Sequence, residues 1–75
     1  MIKVNVIAPF DLKNASTDGE LILPLRATIH TLLRKARAPL YAYGLPVSVN
    51  SRVVPKRTRL ADGDLVVFIV PISGG

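Results

Sequence analysis

Apolar and polar residues alternate in two stretches near the start of the chain. In the first stretch, Ile2, Val4 and Val6 are separated by polar residues. A period of two is typical of a strand with one buried face. In the second, Glu20–Leu25, leucines occupy every other position and Pro24 interrupts the run. Because proline cannot donate a backbone hydrogen bond, we expect the second strand at the edge of a sheet.

The spacing changes to a helical period in the middle of the chain. Ile29 is followed by apolar residues three, four and seven positions later, and these residues share one helix face. Thr28, just before them, is of a type that caps helix N-termini. The pattern predicts one helix from Ile29 to about Arg37, with its apolar stripe in the core. The stripe consists of Ile29, Leu32, Leu33 and Ala36.

Short strands and tight turns are predicted in the second half of the chain. Val47–Asn50 and Val53–Val54 have strand composition on either side of a turn, and Asp62–Asp64 forms a second turn around a glycine. Leu65–Val70 is a run of six apolar residues, which predicts a strand buried on both faces. We place this strand at the centre of the sheet, beside the first strand and parallel to it. The order of elements predicts an α+β roll with one main helix and a mixed sheet of four to five strands.

Composition limits the classes of function. The chain has 75 residues, 49% of them hydrophobic, which suits one domain with a compact core. It contains neither a membrane-length apolar run nor a signal-peptide pattern, so we expect a cytoplasmic location. The sequence has no cysteine, and His30, its one histidine, has no acidic neighbours at ligand spacing. We therefore expect no catalytic residue, no metal site and no bound cofactor.

The charge of the chain favours an acidic partner. Ten Lys and Arg against five Asp and Glu give a net charge of +5. Part of this excess lies in the segment that follows the short strands. We interpret its basic residues as a solvated face, with docking on an acidic partner as the alternative. The aromatic residues are too few to form the stacking platform of a protein that binds single-stranded nucleic acid. The candidate basic docking residues are Arg52, Lys56, Arg57 and Arg59.

The sequence ends on two glycines shortly after the last predicted strand. Pro71 interrupts strand pairing, and Gly74 and Gly75 follow it closely. At an average glycine frequency of about 7%, two final glycines arise by chance in roughly 0.5% of chains. We therefore expect residues 71–75 to form a flexible arm with the terminal carboxylate as its functional group. Fully extended, this arm spans roughly 16–18 Å.

The turns and the terminus together resemble the ubiquitin-like sulfur carriers. This family includes the small subunit of molybdopterin synthase and the thiamine-pathway sulfur carrier. The resemblance spans essentially the whole chain and implies the β-grasp fold, with a single domain over residues 1–75 and a flexible tail over residues 71–75. The segments that carry it are Val47–Asn50, Val53–Val54, Leu60–Asp64 and Val70–Gly75.

The resemblance also implies that the chain is a carrier and not an enzyme. A ubiquitin-activating-type adenylyltransferase uses ATP to adenylate the terminal carboxylate, which Gly75 would bear. A sulfur donor then displaces AMP and leaves a thiocarboxylate. A biosynthetic enzyme accepts the sulfur, either the large subunit of molybdopterin synthase or an enzyme of the thiazole synthase type. The residues that would thread into a partner are Pro71, Ile72, Ser73 and Gly74, and Phe68 is a candidate apolar docking residue.

Alternative interpretations differ in pathway and in class. Pro71-Ile72-Ser73 is more similar to the molybdopterin subunit, whereas Val54–Arg57 is more similar to the thiamine carrier. We favour the molybdopterin type because partner enzymes thread the tail. A ubiquitin-like protein modifier would need the same two glycines. A different class is a free-standing relative of the TGS domain, an RNA-binding β-grasp module with a similar aspartate-glycine-aspartate turn but no use for a diglycine end.

Overall fold

The structure, a computed structural model, describes residues 1–70. Within these residues five strands form one mixed sheet, one α-helix packs across it, and a 3-10 helix leads back to the sheet. The strands are β1 (Ile2–Ile7), β2 (Glu20–Leu23), β3 (Val47–Val49), β4 (Arg52–Val54) and β5 (Leu65–Phe68). The helices are α1 (Ile29–Lys35) and the 3-10 helix (Leu40–Gly44). The predicted β-grasp architecture is confirmed.

The last strand lies at the centre of the sheet. The strand order is β2-β1-β5-β3-β4, with β5 parallel to β1 and antiparallel to β3. The two flanking strands, β2 and β4, are each antiparallel to their single neighbour. The predicted central position of β5 and its parallel pairing with β1 are therefore confirmed. The edge position predicted for β2 from Pro24 is confirmed as well.

The core lies between one face of the sheet and α1. Along β1, residues alternate strictly between buried and exposed, as their period of two predicts. All four residues of the predicted helix stripe have no exposed surface. Thr28 caps the helix as predicted, because its hydroxyl accepts from the Thr31 backbone N–H while the Thr31 hydroxyl accepts from the Thr28 N–H. This reciprocal pair satisfies two backbone donors at the start of α1.

The predicted burial of β5 on both faces is wrong. Val66 and Phe68 point into the core, whereas Leu65 and Ile69 are 39% and 37% exposed. Strand pairing of β5 also ends at Phe68, and Val70 is 48% exposed. The reason is that the single α-helix covers only one face of the sheet. The apolar run therefore contributes both to the core, through Val66 and Phe68, and to an uncovered apolar face, through Leu65 and Ile69.

The interpretation of Phe68 as an exposed docking residue is also wrong. Its side chain is 4% exposed, and its ring lies 5.4 Å from the ring of Phe10 in an edge-on arrangement. Since alternate residues of a strand point to opposite faces, Phe68 shares the core face with Val66. Its role is in packing.

Replacing Phe68 by alanine tests this assignment. Phe68→Ala should lower the free energy of unfolding by about 3–5 kcal/mol, because it empties a buried aromatic site. Val53→Ala is the matched strand control, since Val53 is 66% exposed. We expect the control to cost less than about 1 kcal/mol. Urea unfolding followed by circular dichroism measures both values, and equal losses would contradict the core position of Phe68.

Candidate functional site

The residues predicted to form the tail, Pro71–Gly75, lie outside the described residues. The structure does describe the base of that segment. Past the end of β5, the Ile69 N–H donates to the Pro46 carbonyl at 2.9 Å, and Val70 follows. The chain thus reaches Val70 at the end of the sheet where β1 and β5 finish and β3 begins, which we call the exit end. The candidate site is the surface around it.

The start of β5 is fixed at the opposite end of the sheet by two side chains. One Asp64 carboxylate oxygen accepts from the Ala61 N–H at 2.7 Å, and the other accepts from the Asn50 side-chain amide at 2.9 Å. The amide oxygen of Asn50 accepts in turn from the Leu65 N–H at 3.0 Å. These contacts tie the turn before β5 to the turn between β3 and β4. They set the register of β5 and therefore where the chain leaves the sheet.

The same turn is bonded to β1 on its other side. The Asp62 carboxylate accepts from the Lys3 N–H at 2.7 Å, and the Gly63 N–H donates to the Lys3 carbonyl at 2.8 Å. Gly63 has φ 87°, a left-handed conformation that glycine adopts without a Cβ penalty. The predicted tight turn is confirmed. Both aspartates have structural partners, so the motif that carried part of the family resemblance positions the central strand.

An apolar row crosses the outer face of the sheet, the face opposite α1. Ile7 pairs with Val67, and Val67 pairs with Ser48. Ser48 pairs in turn with Val53 on the edge strand. Ile7 is 58% exposed and Val53 is 66% exposed, while Ser48 is 9% exposed, so the row is most exposed at its two ends. Ile69 continues this surface toward the exit end. We call these five residues the outer row.

The basic residues predicted to dock a partner lie along β4 and the segment after it. Arg52, Arg57 and Arg59 are exposed, and Lys56 is partly buried. The structure holds the segment against the start of α1. The His30 N–H donates to the Lys56 carbonyl at 3.1 Å, and Thr28 forms a backbone bridge with Arg59. Docking by these four side chains stays a prediction.

A second basic cluster surrounds the end of α1. The Lys13 N–H donates to the Ala36 carbonyl at 2.9 Å, and the Asn14 side-chain amide donates to the Lys35 carbonyl at 2.8 Å. These contacts bring the loop between β1 and β2 against the helix end. The cluster consists of Lys13, Arg34, Lys35 and Arg37. Only the last three are neighbours in sequence, so no sequence pattern shows that Lys13 joins them.

The 3-10 helix presents two exposed apolar side chains. Leu40 is 88% exposed and Tyr41 is 59% exposed. The Tyr41 ring lies 6.2 Å from the ring of Phe10, which in turn contacts Phe68 near the end of β5. This chain of aromatic rings connects the 3-10 helix to the exit end. Exposed apolar side chains therefore flank the exit both on the outer face of the sheet and on its helix side.

Other kinds of site are not found in the described part of the chain. Residues 1–70 contain no group of three or more potential metal ligands and enclose no pocket. No helix in these residues has the length and apolar character needed to cross a membrane. The histidine ring of His30 packs edge-on against Tyr43, with ring centres 5.2 Å apart.

Comparison with known protein families identifies a match. A protein-family model described as the ThiS family matches residues 9–75, which includes the exit end and the tail. No curated protein and no solved structure matches the chain.

The hydrogen bonds of Asp64 can be tested by their removal. Asp64→Ala should lower the free energy of unfolding by about 2–3 kcal/mol, because hydrogen bonds to a charged carboxylate are lost at a turn that joins three strands. Asp18→Ala is the control, since Asp18 is an exposed carboxylate in the loop before β2. We expect the control to change stability by less than about 0.5 kcal/mol. Chemical unfolding measures the difference, and similar losses for both variants would refute the structural role of Asp64.

Proposed function

The chain belongs to the ThiS family of ubiquitin-like sulfur carriers, and from this premise we propose that it carries sulfur as a thiocarboxylate on Gly75. Proteins of this family are small carriers and not enzymes, and they work with an adenylyltransferase and a sulfur-accepting enzyme. The observation that carries the proposal is the family match, which extends through residue 75. An RNA-binding module of the TGS type has no comparable support.

The proposed chemistry takes place at one carbonyl carbon. A carboxylate oxygen of Gly75 attacks the α-phosphorus of ATP, and pyrophosphate leaves. Hydrosulfide then attacks the carbonyl carbon of the acyl-adenylate. The bond to AMP breaks, AMP leaves with the electron pair, and the thiol proton is lost to solvent. Glycine has no Cβ, so Gly74 and Gly75 leave both the carbonyl and its approach uncrowded.

The exposed apolar side chains suggest how a partner would hold the carrier. Five residues span at most roughly 16–18 Å even when fully extended, so a partner that takes Gly75 into a buried site must approach the exit end closely. The outer row ends there, and its apolar surface is available for contact. We propose that the partner docks on the outer row while the segment Pro71–Gly74 threads toward its active site.

Within the family, we favour a pathway of the molybdopterin type. The support is the tail sequence Pro71-Ile72-Ser73, which is the segment that a partner enzyme would contact. On this proposal the sulfur acceptor is the large subunit of a molybdopterin synthase. The thiamine-pathway carrier, whose acceptor is of the thiazole synthase type, is the second candidate because of Val54–Arg57. A protein modifier would instead be joined to a lysine of another protein through the carbonyl of Gly75. The cytoplasmic location stays a prediction.

Changes at Gly75 test the proposal directly. We expect deletion of Gly75, or addition of one alanine after it, to abolish adenylation by the purified adenylyltransferase of the same organism. Deletion moves the carboxylate back by one residue, and addition moves it onto a different residue. The unfolding temperature should not change, because the core ends before residue 70. Adenylation is measured as exchange of labelled pyrophosphate into ATP, and a chain with one extra residue before Met1 is the matched control.

Normal adenylation and thiocarboxylation of the chain with the added alanine would contradict the carrier proposal. The RNA-binding module would then become the leading interpretation.

Substitutions in the outer row test the docking surface. Ile7→Thr and Val67→Thr keep a β-branched side chain and reduce apolar contact, so each should weaken binding to the adenylyltransferase about fivefold. Ile22→Thr is the control, because Ile22 is 45% exposed and pairs with Lys3, toward the other end of β1. Isothermal titration calorimetry gives the three dissociation constants. Equal weakening by all three substitutions would argue against a docking surface centred on the outer row.

A further inference from the structure

The exit end has a second exposed surface, on its helix side, that the outer row does not include. It combines the basic cluster at the end of α1 with the apolar side chains of the 3-10 helix. We call it the helix-side surface. Its members are Lys13, Arg34, Lys35, Arg37, Leu40 and Tyr41.

Backbone hydrogen bonds and one contact between aromatic rings hold this surface together. The loop before β2 is bonded to the helix end through Lys13, and it contacts the 3-10 helix through the packing of Phe10 against Tyr41. The turn after α1 is tight, because the Arg37 N–H donates to the Arg34 carbonyl at 3.2 Å. Arg37 has φ 53°, a left-handed conformation that non-glycine residues seldom adopt. The basic and the apolar residues therefore lie on one continuous surface.

Helix stability explains only part of this arrangement. Cations in the last turn of a helix interact favourably with its dipole, which accounts for Arg34 and Lys35. It does not account for Lys13, which comes from another loop, or for the 88% exposure of Leu40. Among the described residues, the one ion pair joins Lys3 and Glu20 on the sheet, away from this cluster. The loop that contributes Lys13 also holds two exposed carboxylates, Asp11 and Asp18, and the four cations of the cluster outnumber them.

We propose that the helix-side surface docks on an acidic patch with an apolar centre on the adenylyltransferase that receives the tail. This inference rests on the proposed function. The tail is short, so an enzyme that binds Gly75 must cover the exit end, and the helix-side surface lies beside that end. The adenylyltransferase is needed whichever enzyme later accepts the sulfur. Carboxylates on its surface would complement the four cations, and an apolar centre would cover Leu40 and Tyr41.

A protein fits this surface better than nucleic acid does. The exposed cations alone would suit a phosphate backbone. Leu40 is the most exposed large apolar side chain of the described residues, at 88%, and it offers no contact to a phosphate. Apolar side chains with a basic rim are typical of a protein interface, in which the apolar centre is desolvated and the charges steer the encounter.

The chain offers a closely matched pair of variants for the test. Arg37→Gln combined with Leu40→Ser removes one cation and one apolar side chain from the helix-side surface. Arg26→Gln combined with Leu25→Ser is the control at the opposite end of the molecule, after β2. Leu25 is 70% exposed, and Arg26 has φ 68°. Both pairs therefore contain an exposed leucine and an arginine whose backbone is in the left-handed conformation. Arg34→Gln with Lys35→Gln is a second test variant, which keeps good helix formers in α1.

The measurement is the steady-state rate of pyrophosphate exchange by the purified adenylyltransferase of the same organism, at increasing carrier and salt concentrations. Both test variants should raise KM for the carrier about tenfold and leave kcat within about twofold of the unmodified chain. The control pair should change neither constant by more than about twofold. In the variant that lacks Arg34 and Lys35, kcat/KM should also decrease less steeply as the salt concentration rises. Circular dichroism confirms that each variant is folded.

Four results would overturn the inference. An unmodified chain that is not adenylated removes the proposed function together with the inference. A fully adenylated chain whose test variants match the control pair removes the inference alone. A loss of kcat without a change in KM would show that the surface does not serve docking. If the test variants retain their kinetics but lose affinity for a labelled single-stranded RNA, the surface binds nucleic acid.

Discussion

The position of β5 between β1 and β3 organises both the sheet and the place where the chain leaves it. Its start is held by the side chains of Asp64 and Asn50, and beyond its end Ile69 is bonded to Pro46. Because β5 runs parallel to β1, both strands finish at the same end of the sheet. A chain that leaves a central strand there emerges among the loops and not at a sheet edge. The turn motif therefore acts on function through geometry, since it determines where the last five residues begin.

The sheet is covered on one face only, and this leaves apolar surface for binding. One α-helix is enough to bury Val66 and Phe68 but cannot cover the opposite face of the same strand. The outer row and the helix-side surface both approach the exit end, so a partner would meet apolar contacts on two sides of the tail. The net charge of +5 repels second copies of the chain and attracts acidic surfaces. Apolar contact and basic charge thus favour a different protein as the partner.

The sequence was sufficient for the elements whose residues repeat with a clear period. The alternation in β1, the apolar stripe and the Thr28 cap of α1 predicted their elements correctly, and the apolar run of β5 predicted its central place. That run could not show whether a second layer covers the outer face of the sheet. The same apolar sequence fits a strand buried on both faces and a strand with one face exposed to solvent. The sequence also does not show which alternate residues of β5 face the core. That Phe68 is one of them becomes clear only from the pairing of β5 with β3. The basic cluster depends on a tertiary contact between Lys13 and Ala36, which no local pattern contains.

Mass spectrometry of the intact chain shows whether Gly75 carries sulfur. The unmodified protein is incubated with the purified adenylyltransferase, ATP and a sulfur donor, and the product is then fragmented in the gas phase. We expect a mass increase equal to the exchange of one oxygen for one sulfur, located on Gly75 and dependent on ATP. An unchanged mass under conditions in which the adenylyltransferase modifies a known carrier, or a sulfur atom located on any other residue, would contradict it.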